Sequence, residues 1–367
     1  MATIAGQALN AICPYFTMFP LDFPYTVLRD APSKNAWVLD PFCGRGTTNY
    51  ASRLLGMSSI GIDSSPVAAA LTAAKLANTT PMAILRAVDE ILGEVSSPLD
   101  MPTAEFWQWA YDTATLQLLC RLREGLLARC DTDARVALRA ILMGALHGPL
   151  AKSAPSYFSN QSPRTYAPKP AYAVRFWQAR HLRPSPVDVR SVIARRAERY
   201  YGQEVSQACG KAVLGDSRDA ELIKAHAPQE AIAWIITSPP YYGLNTYIPD
   251  QWLRHWFVGG PSSVDYASRD QLMHTSPAVF AAQLRQVWQN VAIVAAGHAR
   301  LVVRFGGINE RRVDPLDIIQ TSLRDSGWRI TETRPAGSAS QGRRQAEHFS
   351  QSQRSAVEEH DVFAALV

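Results

Sequence analysis

Residues 37–48 read WVLDPFCGRGTT, and this stretch decides the fold of the chain. A short apolar run ends at Asp40. Gly44 and Gly46 then allow a tight turn before a helical pattern that starts at Thr47. Glycines here let backbone N–H groups approach a ligand, and the helix N-terminus adds partial positive charge. The stretch therefore predicts a strand, a ligand-binding turn and a helix.

The turn does not fit the dinucleotide fingerprint Gly-x-Gly-x-x-Gly/Ala, because Asn49 stands three positions after Gly46. NAD is therefore disfavoured. The next strand pattern covers residues 59–63 and ends in Asp63, whose carboxylate can accept hydrogen bonds from paired ribose hydroxyls. Asp63 is our predicted ribose ligand. Its alternative role is the N-cap of the helix that follows, which Ser64 or Ser65 could supply instead.

A second motif follows the β-favouring run 231–236 and reads Ser238-Pro239-Pro240-Tyr241. Two consecutive prolines end the strand, because each fixes φ and removes a backbone donor. The carbonyls of Ser238 and Pro239 can then accept hydrogen bonds from an amino group, while Tyr241 lies against the face of a flat ring. The tetrapeptide alone is equally typical of a proline-rich turn.

Together, the two motifs resemble those of the DNA amino-methyltransferases, which methylate exocyclic amines of cytosine or adenine. The string DPFCGRGTT is similar to the S-adenosylmethionine loop of that family, which usually reads DPFxGSGT, so Arg45 departs from the common serine. The serine in the first position of the second motif, Ser238, resembles the cytosine-N4 branch of the family. The resemblance implies an α/β, Rossmann-like class I methyltransferase fold, with a seven-stranded, mostly parallel sheet and a helical insertion.

The resemblance also implies the site residues and the cofactor, S-adenosyl-L-methionine. Catalysis falls to Ser238, Pro239, Pro240 and Tyr241. An aromatic and proline segment before the first strand covers the cofactor in that family, although here it is equally a hydrophobic strap. The short strand 212–214 leads to an acid that approaches the adenine ring. The implied cofactor-binding residues are Phe16, Thr17, Asp40, Pro41, Phe42, Gly44, Gly46, Thr47, Thr48, Asp63, Ser64 and Asp216.

Between about residues 80 and 205 the α/β alternation gives way to helical patterns and then to a basic, proline-punctuated stretch. Residues 171–200 hold seven arginines against two acids. Such a run can track phosphates, and Asn, Gln and Arg can read base edges, but a solvated helix face is the alternative. We predict nucleic-acid contacts at Asn160, Arg164, Arg175, Arg180, Arg183, Tyr247, Arg343 and Arg344.

The chain of 367 residues is long enough for one large α/β domain with an insertion. We predict a catalytic domain formed by residues 1–80 and 206–367, with residues 81–205 as a helical and basic insertion and candidate target-recognition region. The apolar content of 47% is globular, and the net charge of +5 is consistent with a polyanionic partner. The chain shows no membrane-length apolar run and no basic leader, so we expect a cytoplasmic protein without a membrane span. Its scattered cysteines predict neither a metal site nor a disulfide framework.

The sequence thus predicts a site-specific DNA methyltransferase that transfers a methyl group from S-adenosylmethionine to the N4 amine of a flipped-out cytosine. Double-stranded DNA is the expected partner, and a cognate restriction nuclease is a further candidate partner. An adenine-N6 or RNA amino-methyltransferase shares every loop and stays open, as does a non-catalytic DNA-binding protein on the same fold. All enzymatic alternatives require the glycine turn and the double-proline turn to lie side by side.

Overall fold

The computed structural model describes residues 7–15, 19–31, 35–149, 155–160, 167–203, 205–207, 209–243, 247–266, 272–307, 313–338 and 358–367. The chain divides into two compact units, each assembled from several segments. The first unit comprises residues 1–17, 73–205 and 246–267, and the second comprises residues 18–72, 206–245 and 268–367. The division differs from the predicted one at residues 1–17, 73–80 and 246–267, all of which cluster with the first unit.

A seven-stranded sheet forms the second unit, with the strand order β3-β2-β1-β4-β5-β7-β6. Its strands are β1 (Trp37–Asp40), β2 (Ser59–Asp63), β3 (Gly210–Leu214), β4 (Ile232–Thr237), β5 (Ala295–Phe305), β6 (Trp328–Ser338) and β7 (Glu358–Leu366). Neighbours from β3 to β5 pair in parallel, and β7 runs antiparallel between β5 and β6. This topology confirms the predicted Rossmann-like class I methyltransferase fold.

The helices follow the start signals of the sequence, because Thr80, Asp112, Thr132, Asp219 and Ser276 each accept a backbone N–H at a helix start. No helix within the described ranges is long and apolar enough to cross a membrane. In chain order they are α1 (Asp22–Arg29), α2 (Thr47–Leu54), α3 (Pro66–Leu76), α4 (Pro81–Glu94), α5 (Glu105–Ala110), α6 (Thr113–Ala128), α7 (Asp133–Ala145), α8 (Pro170–Ala179), α9 (Val189–Tyr201), α10 (Ala220–His226), α11 (Tyr247–Asp250), α12 (Trp252–Phe257), α13 (Pro277–Ile293) and α14 (Pro315–Leu323).

The core of the second unit lies against the parallel strands, which carry apolar side chains on both faces because helices cover both sides. Leu39 of β1 and Ile235 of β4 are fully buried in the same cluster as Phe280 and Trp288 of α13. The indole N–H of Trp288 donates to the hydroxyl of Ser322 at 2.9 Å, which joins α13 to α14. These contacts hold α13 against the parallel strands and against α14.

In the first unit, an aromatic cluster joins α5 to α12. The ring of Trp107 lies 5.8 Å from that of Trp252 and 4.4 Å from that of Trp256, between ring centroids. Both α12 tryptophans and Arg254 are buried. By residue type, the tryptophans of this segment could either line a base pocket or anchor a loop. Its tryptophans belong to the core, which explains why residues 246–267 cluster with the helical unit.

Candidate active site

The glycine turn and the double-proline turn leave neighbouring strands at the same edge of the sheet, because β1 and β4 pair in parallel with Leu39 opposite Ile235. Two side-chain hydrogen bonds join the strand ends. The hydroxyl of Thr237 donates to Oδ1 of Asp40 at 2.6 Å, and that of Thr48 donates to the carbonyl of Ile236 at 3.1 Å. The two turns therefore lie side by side.

The glycine turn depends on left-handed backbone that favours glycine, with φ of 50° at Gly44 and 75° at Gly46. A Cβ on Gly46 would lie 2.7 Å from Oγ1 of Thr72. That hydroxyl donates to the carbonyl of Gly44 at 3.1 Å. Thr47 opens α2 as a buried residue. The turn is thus packed against α3 and holds one shape.

Asp40 is a fully buried carboxyl at the end of β1. Its Oδ1 accepts hydrogen bonds from Thr237 and from the backbone N–H of Phe42, the latter at 3.1 Å. Its Oδ2 is buried and accepts no hydrogen bond from the described residues. Burial raises the pKa of Asp40 to about 7, although hydrogen bonds oppose that rise. The free oxygen can therefore take a donor from a ligand.

Asp63 stands at the end of β2, next to the glycine turn. Its Oδ2 accepts from the N–H of Gly44 at 2.8 Å, and its Oδ1 accepts from the N–H of Ser65 at 2.9 Å. Burial raises the pKa of Asp63, and these two hydrogen bonds oppose the rise. Each carboxylate oxygen can accept a further hydrogen bond. The hydroxyl of Ser65 accepts the N–H of Ala68 at 3.4 Å, so serine supplies the cap of α3. Ser64 lies between them, partly buried.

Asp216 lies just after β3, and its carboxylate is engaged by Arg218, a residue that the sequence analysis did not identify. The Arg218 Nε lies 3.0 Å from Oδ1 and 2.9 Å from Oδ2 of Asp216. Burial raises the pKa of Asp216, but the hydrogen bonds from Arg218 outweigh it and hold the pKa below its usual value. Asp216 therefore enters the site as one half of an ion pair.

Two further residues without a sequence signal fasten the loop after β3 to the glycine turn. The hydroxyl of Ser217 donates to the carbonyl of Pro41 at 2.7 Å. The side-chain amide of Asn290, on α13, donates to the carbonyl of Ser217 at 3.0 Å. The ring of Phe42 packs edge-on against Trp288, with centroids 6.2 Å apart. The ends of β1 and β3 are thus held together from α13.

The double-proline loop begins at Ser238, which is partly exposed, and its Pro239 is buried. The Tyr241 ring is partly exposed, meets Phe305 edge-on at 5.5 Å and donates its hydroxyl to a carboxylate on β7. Two residues later, the N–H of Gly243 donates to Nδ1 of His274 at 2.8 Å. The loop is therefore anchored at Tyr241 and Gly243, with Ser238, Pro240 and Tyr241 partly open to solvent.

The predicted nucleic-acid residues are placed less uniformly. Asn160 is buried, and its amide donates to the carbonyl of Leu182 at 2.7 Å, so this side chain serves the interior of the first unit. Arg175 and Arg180 are exposed on or just after α8, and Arg183 is exposed beyond it. Phe16, Thr17, Arg164, Arg343 and Arg344 lie outside the described residues, as does the side chain of Tyr247.

Among the residues that the structure describes, no group of three or more His, Cys, Asp or Glu side chains could hold a metal ion. The chemistry available at this edge of the sheet comes from three carboxylates, a glycine turn and the Ser238–Tyr241 loop. Asp40 and Asp63 are close enough that the charge of Asp63 contributes to the raised pKa of Asp40. Such a site favours a ligand with hydroxyl donors and positive charge.

A family model for DNA methylases matches residues 6–74, the segment with the glycine turn and Asp63. This match supports the amino-methyltransferase family and hence a methyltransferase, but it does not extend to the Ser-Pro-Pro-Tyr loop. The sequence matches no curated protein.

Solved structures similar to this chain include methyltransferases. The rRNA methyltransferase aviRa from Streptomyces viridochromogenes is 13% identical over 99% of this chain and 93% of that one, with a TM-score of 0.37. TrmN from Thermus thermophilus is 10% identical over 95% of this chain and 49% of its own, with a TM-score of 0.34. A SAM-dependent methyltransferase from Methanosarcina mazei is 8% identical over 96% of this chain and 99% of its own, with a TM-score of 0.35.

Proposed function

We propose that this protein is a DNA methyltransferase that transfers a methyl group from S-adenosylmethionine to the exocyclic N4 amine of cytosine. One observation gives this proposal its main support. The Thr237–Asp40 hydrogen bond joins the end of the glycine turn's strand directly to the strand that precedes Ser238. A donor bound at the first turn would lie beside a base held at the second.

The residues at the strand ends fit S-adenosylmethionine. Asp63 keeps acceptor capacity for ribose hydroxyls, and the buried Oδ2 of Asp40 is an acceptor that the described residues leave without a donor. We assign the Asp216–Arg218 pair to the adenine end. When bound, S-adenosylmethionine supplies an electrophilic methyl group on a sulfonium. Phe16, Thr17, Pro41, Phe42 and the glycine turn remain the proposed enclosing residues.

The Ser238–Tyr241 loop would orient the amine. The lone pair of an exocyclic amine is delocalised into the ring, so transfer requires that the amine be turned toward the methyl group. The Ser238 side chain and the Pro239 carbonyl would accept its two N–H bonds, and Tyr241 would stack on the flipped base. Pro240 contributes by fixing the backbone that follows this carbonyl.

One face of α8 suits a nucleic-acid partner. Tyr172 is 63% exposed, and its ring stacks on Phe176 with centroids 6.4 Å apart. The guanidinium of Arg180 lies 4.0 Å from the centroid of the Phe176 ring, and Arg175 is exposed on the same helix. Aromatic rings that stack with bases, set beside cations that meet phosphates, are typical of nucleic-acid surfaces. We assign this α8 surface to the DNA strand.

The decisive experiment identifies the methylated nucleoside. The protein is incubated with labelled S-adenosylmethionine and DNA or RNA, and the digested product is analysed by mass spectrometry. We expect N4-methylcytosine from DNA. N6-methyladenine or a methylated ribonucleoside would replace the cytosine assignment, and failure to bind S-adenosylmethionine in calorimetry would favour a non-catalytic DNA-binding protein.

Variants of the loop test the assignment of the catalytic residues. Ser238→Ala and Tyr241→Ala are expected to abolish transfer while the affinity for S-adenosylmethionine stays nearly unchanged, because neither residue is assigned to the cofactor. Ser263→Ala, an exposed serine of the first unit, is the matched control and should keep full turnover. Full turnover by either loop variant would refute the assigned role of this loop.

A further inference from the structure

Tyr241 is held on three sides by residues that lie far from it in the sequence. Its hydroxyl donates to Oε1 of Glu359, which is 118 positions later and belongs to β7. Its ring meets Phe305 of β5 at an interplanar angle of 72°. A Cβ on Gly306 would lie 3.2 Å from Cε2 of Tyr241 and 2.9 Å from Cγ of Glu359. The absence of a side chain at Gly306 therefore leaves room for the Tyr241 ring.

The position of Glu359 is set by the sheet and not by a mobile loop. In β7, His360 pairs with Phe305 of β5, and Glu359 pairs with Gly337 of β6. One neighbouring strand thus pairs with Glu359 itself, and the other pairs with the residue next to it. A rigid strand can hold a partner side chain to the small tolerance that an active site needs.

The chemistry of Glu359 is not explained by packing alone. The residue is only 6% exposed, and burying a carboxylate is costly unless hydrogen bonds compensate. An apolar side chain would fill the same place beside Gly306 without that cost. The phenolic hydroxyl of Tyr241 provides such compensation, through a charge-assisted hydrogen bond of the stronger kind. The carboxylate and the tyrosine are therefore matched to each other.

We infer that Glu359 is a positioning residue for methyl transfer, acting through Tyr241. The inference rests on the proposed function, in which a base stacks on the Tyr241 ring. Rotation of that ring would carry the base amine away from Ser238 and Pro239, and the hydrogen bond to Glu359 removes this rotation. Small misplacements of reacting groups lower turnover strongly without changing cofactor binding. Glu359 thus limits the orientation of the base and leaves the methyl donor untouched.

The test compares Tyr241→Phe, Glu359→Ala, Glu359→Gln and the double variant Tyr241→Phe/Glu359→Ala on DNA. Each measurement yields kcat, KM for DNA and the Kd for S-adenosylmethionine. We expect Tyr241→Phe and Glu359→Ala each to lower kcat by about tenfold, in line with the loss of one hydrogen bond. The double variant should be no slower than the singles, because both remove the same interaction. Glu359→Gln, which keeps an acceptor oxygen, should recover part of kcat.

A matched control is Glu332→Gln, since Glu332 is an exposed carboxylate of β6 that pairs with Arg334. Its kcat should equal that of the unaltered protein, and the Kd for S-adenosylmethionine should stay within about twofold in all variants, because none of these residues is assigned to the cofactor. A loss of cofactor affinity parallel to kcat would indicate a merely structural role and overturn the inference. The inference would also be overturned if the kcat losses of Tyr241→Phe and Glu359→Ala added up in the double variant, or if neither change alone lowered kcat.

The two proposals fail in different ways. If the unaltered protein methylates DNA while the Glu359 variants keep full kcat, the positioning role is wrong and the enzymatic function stands. If the unaltered protein binds S-adenosylmethionine but methylates no nucleic acid, the proposed function and the role of Glu359 are both wrong.

Discussion

The hydroxyl of Thr237 donates to Oδ1 of Asp40 at 2.6 Å, although the two residues are 197 positions apart. The bond is buried and joins the last residues of β4 and β1. Because the glycine turn starts one residue after Asp40 and the double-proline loop starts one residue after Thr237, this contact sets the spacing of the proposed donor and acceptor sites.

Thr237→Val tests that contact by replacing the hydroxyl with a methyl group of similar size. The change leaves a buried carboxyl oxygen with one donor fewer, so the free energy of unfolding should fall by about 1–3 kcal/mol. Affinity for S-adenosylmethionine should weaken as well. Urea denaturation and calorimetry measure the two effects. Thr333→Val, at an exposed position of β6, should change neither quantity, and equal effects at both sites would contradict the assigned importance of the contact.

The buried carboxyl of Asp40 predicts a specific pH dependence. Burial raises its pKa from 3.8 to about 7, so the folded protein keeps this proton over a range in which the unfolded chain has lost it. Folding stability from this group is therefore present below about pH 4 and is lost as pH rises toward 7. In Asp40→Asn, this loss should disappear, and the slope of unfolding free energy against pH should become more positive by at most ~1.4 kcal/mol per pH unit. Unfolding free energies are measured by urea titration at pH 5 and pH 7.5 for Asp40→Asn and for the unaltered protein. If the free energy changes equally with pH in both proteins, Asp40 is ionised in the folded state and the prediction is wrong.

Three glycine-to-alanine changes separate backbone strain from steric overlap. At Gly46, with φ of 75° and Thr72 2.7 Å from the added Cβ, both effects act, and stability should fall by about 2–4 kcal/mol. At Gly56, with φ of 69° and open space, strain acts alone and should cost about 1–2 kcal/mol. At Gly93, an exposed helical site with open space, alanine should stabilise by about 0.5–1 kcal/mol. Thermal and urea unfolding measure the order of the three stability changes. Only Gly46→Ala should also reduce S-adenosylmethionine binding.

Arg175→Gln tests the α8 surface. An arginine that meets a phosphate releases a counterion, so its removal should reduce the slope of log K against log salt by roughly 0.9. Fluorescence anisotropy with a labelled DNA duplex over a salt series measures the slope. Arg190→Gln is the control, because Arg190 is a similarly exposed arginine already paired with Asp89 at 2.9 Å. Equal slopes for Arg175→Gln and the unaltered protein would remove α8 from the DNA surface.

Local patterns were sufficient for the strands, the glycine turn and the place of Asp63, because each depends on a few consecutive residues. They were less accurate at helix ends. The pattern over 104–128 predicts one helix, but α5 ends at Ala110, and Asp112 accepts the N–H of Ala114 at 3.0 Å to start α6. An aspartate before threonine is a start signal that the sequence did show.

The partners of the motif residues could not be predicted from the sequence. Asn290 and Glu359 contact the site through helix packing and strand register, which bring together residues 73 and 118 positions apart in the sequence. No short motif encodes such a contact. The same reason explains why Trp252 and Trp256, which suit a base pocket by type, belong to the core of the first unit.

The antiparallel strand β7 has a consequence for how the protein folds. Tyr241 meets its carboxylate across 118 residues, and β7 must insert between β5 and β6 to bring it there. Closing a long loop costs chain entropy, and contacts of high sequence separation form slowly. We therefore expect Tyr241 to reach its final orientation during refolding only after β7 has inserted, as this single strand completes the sheet.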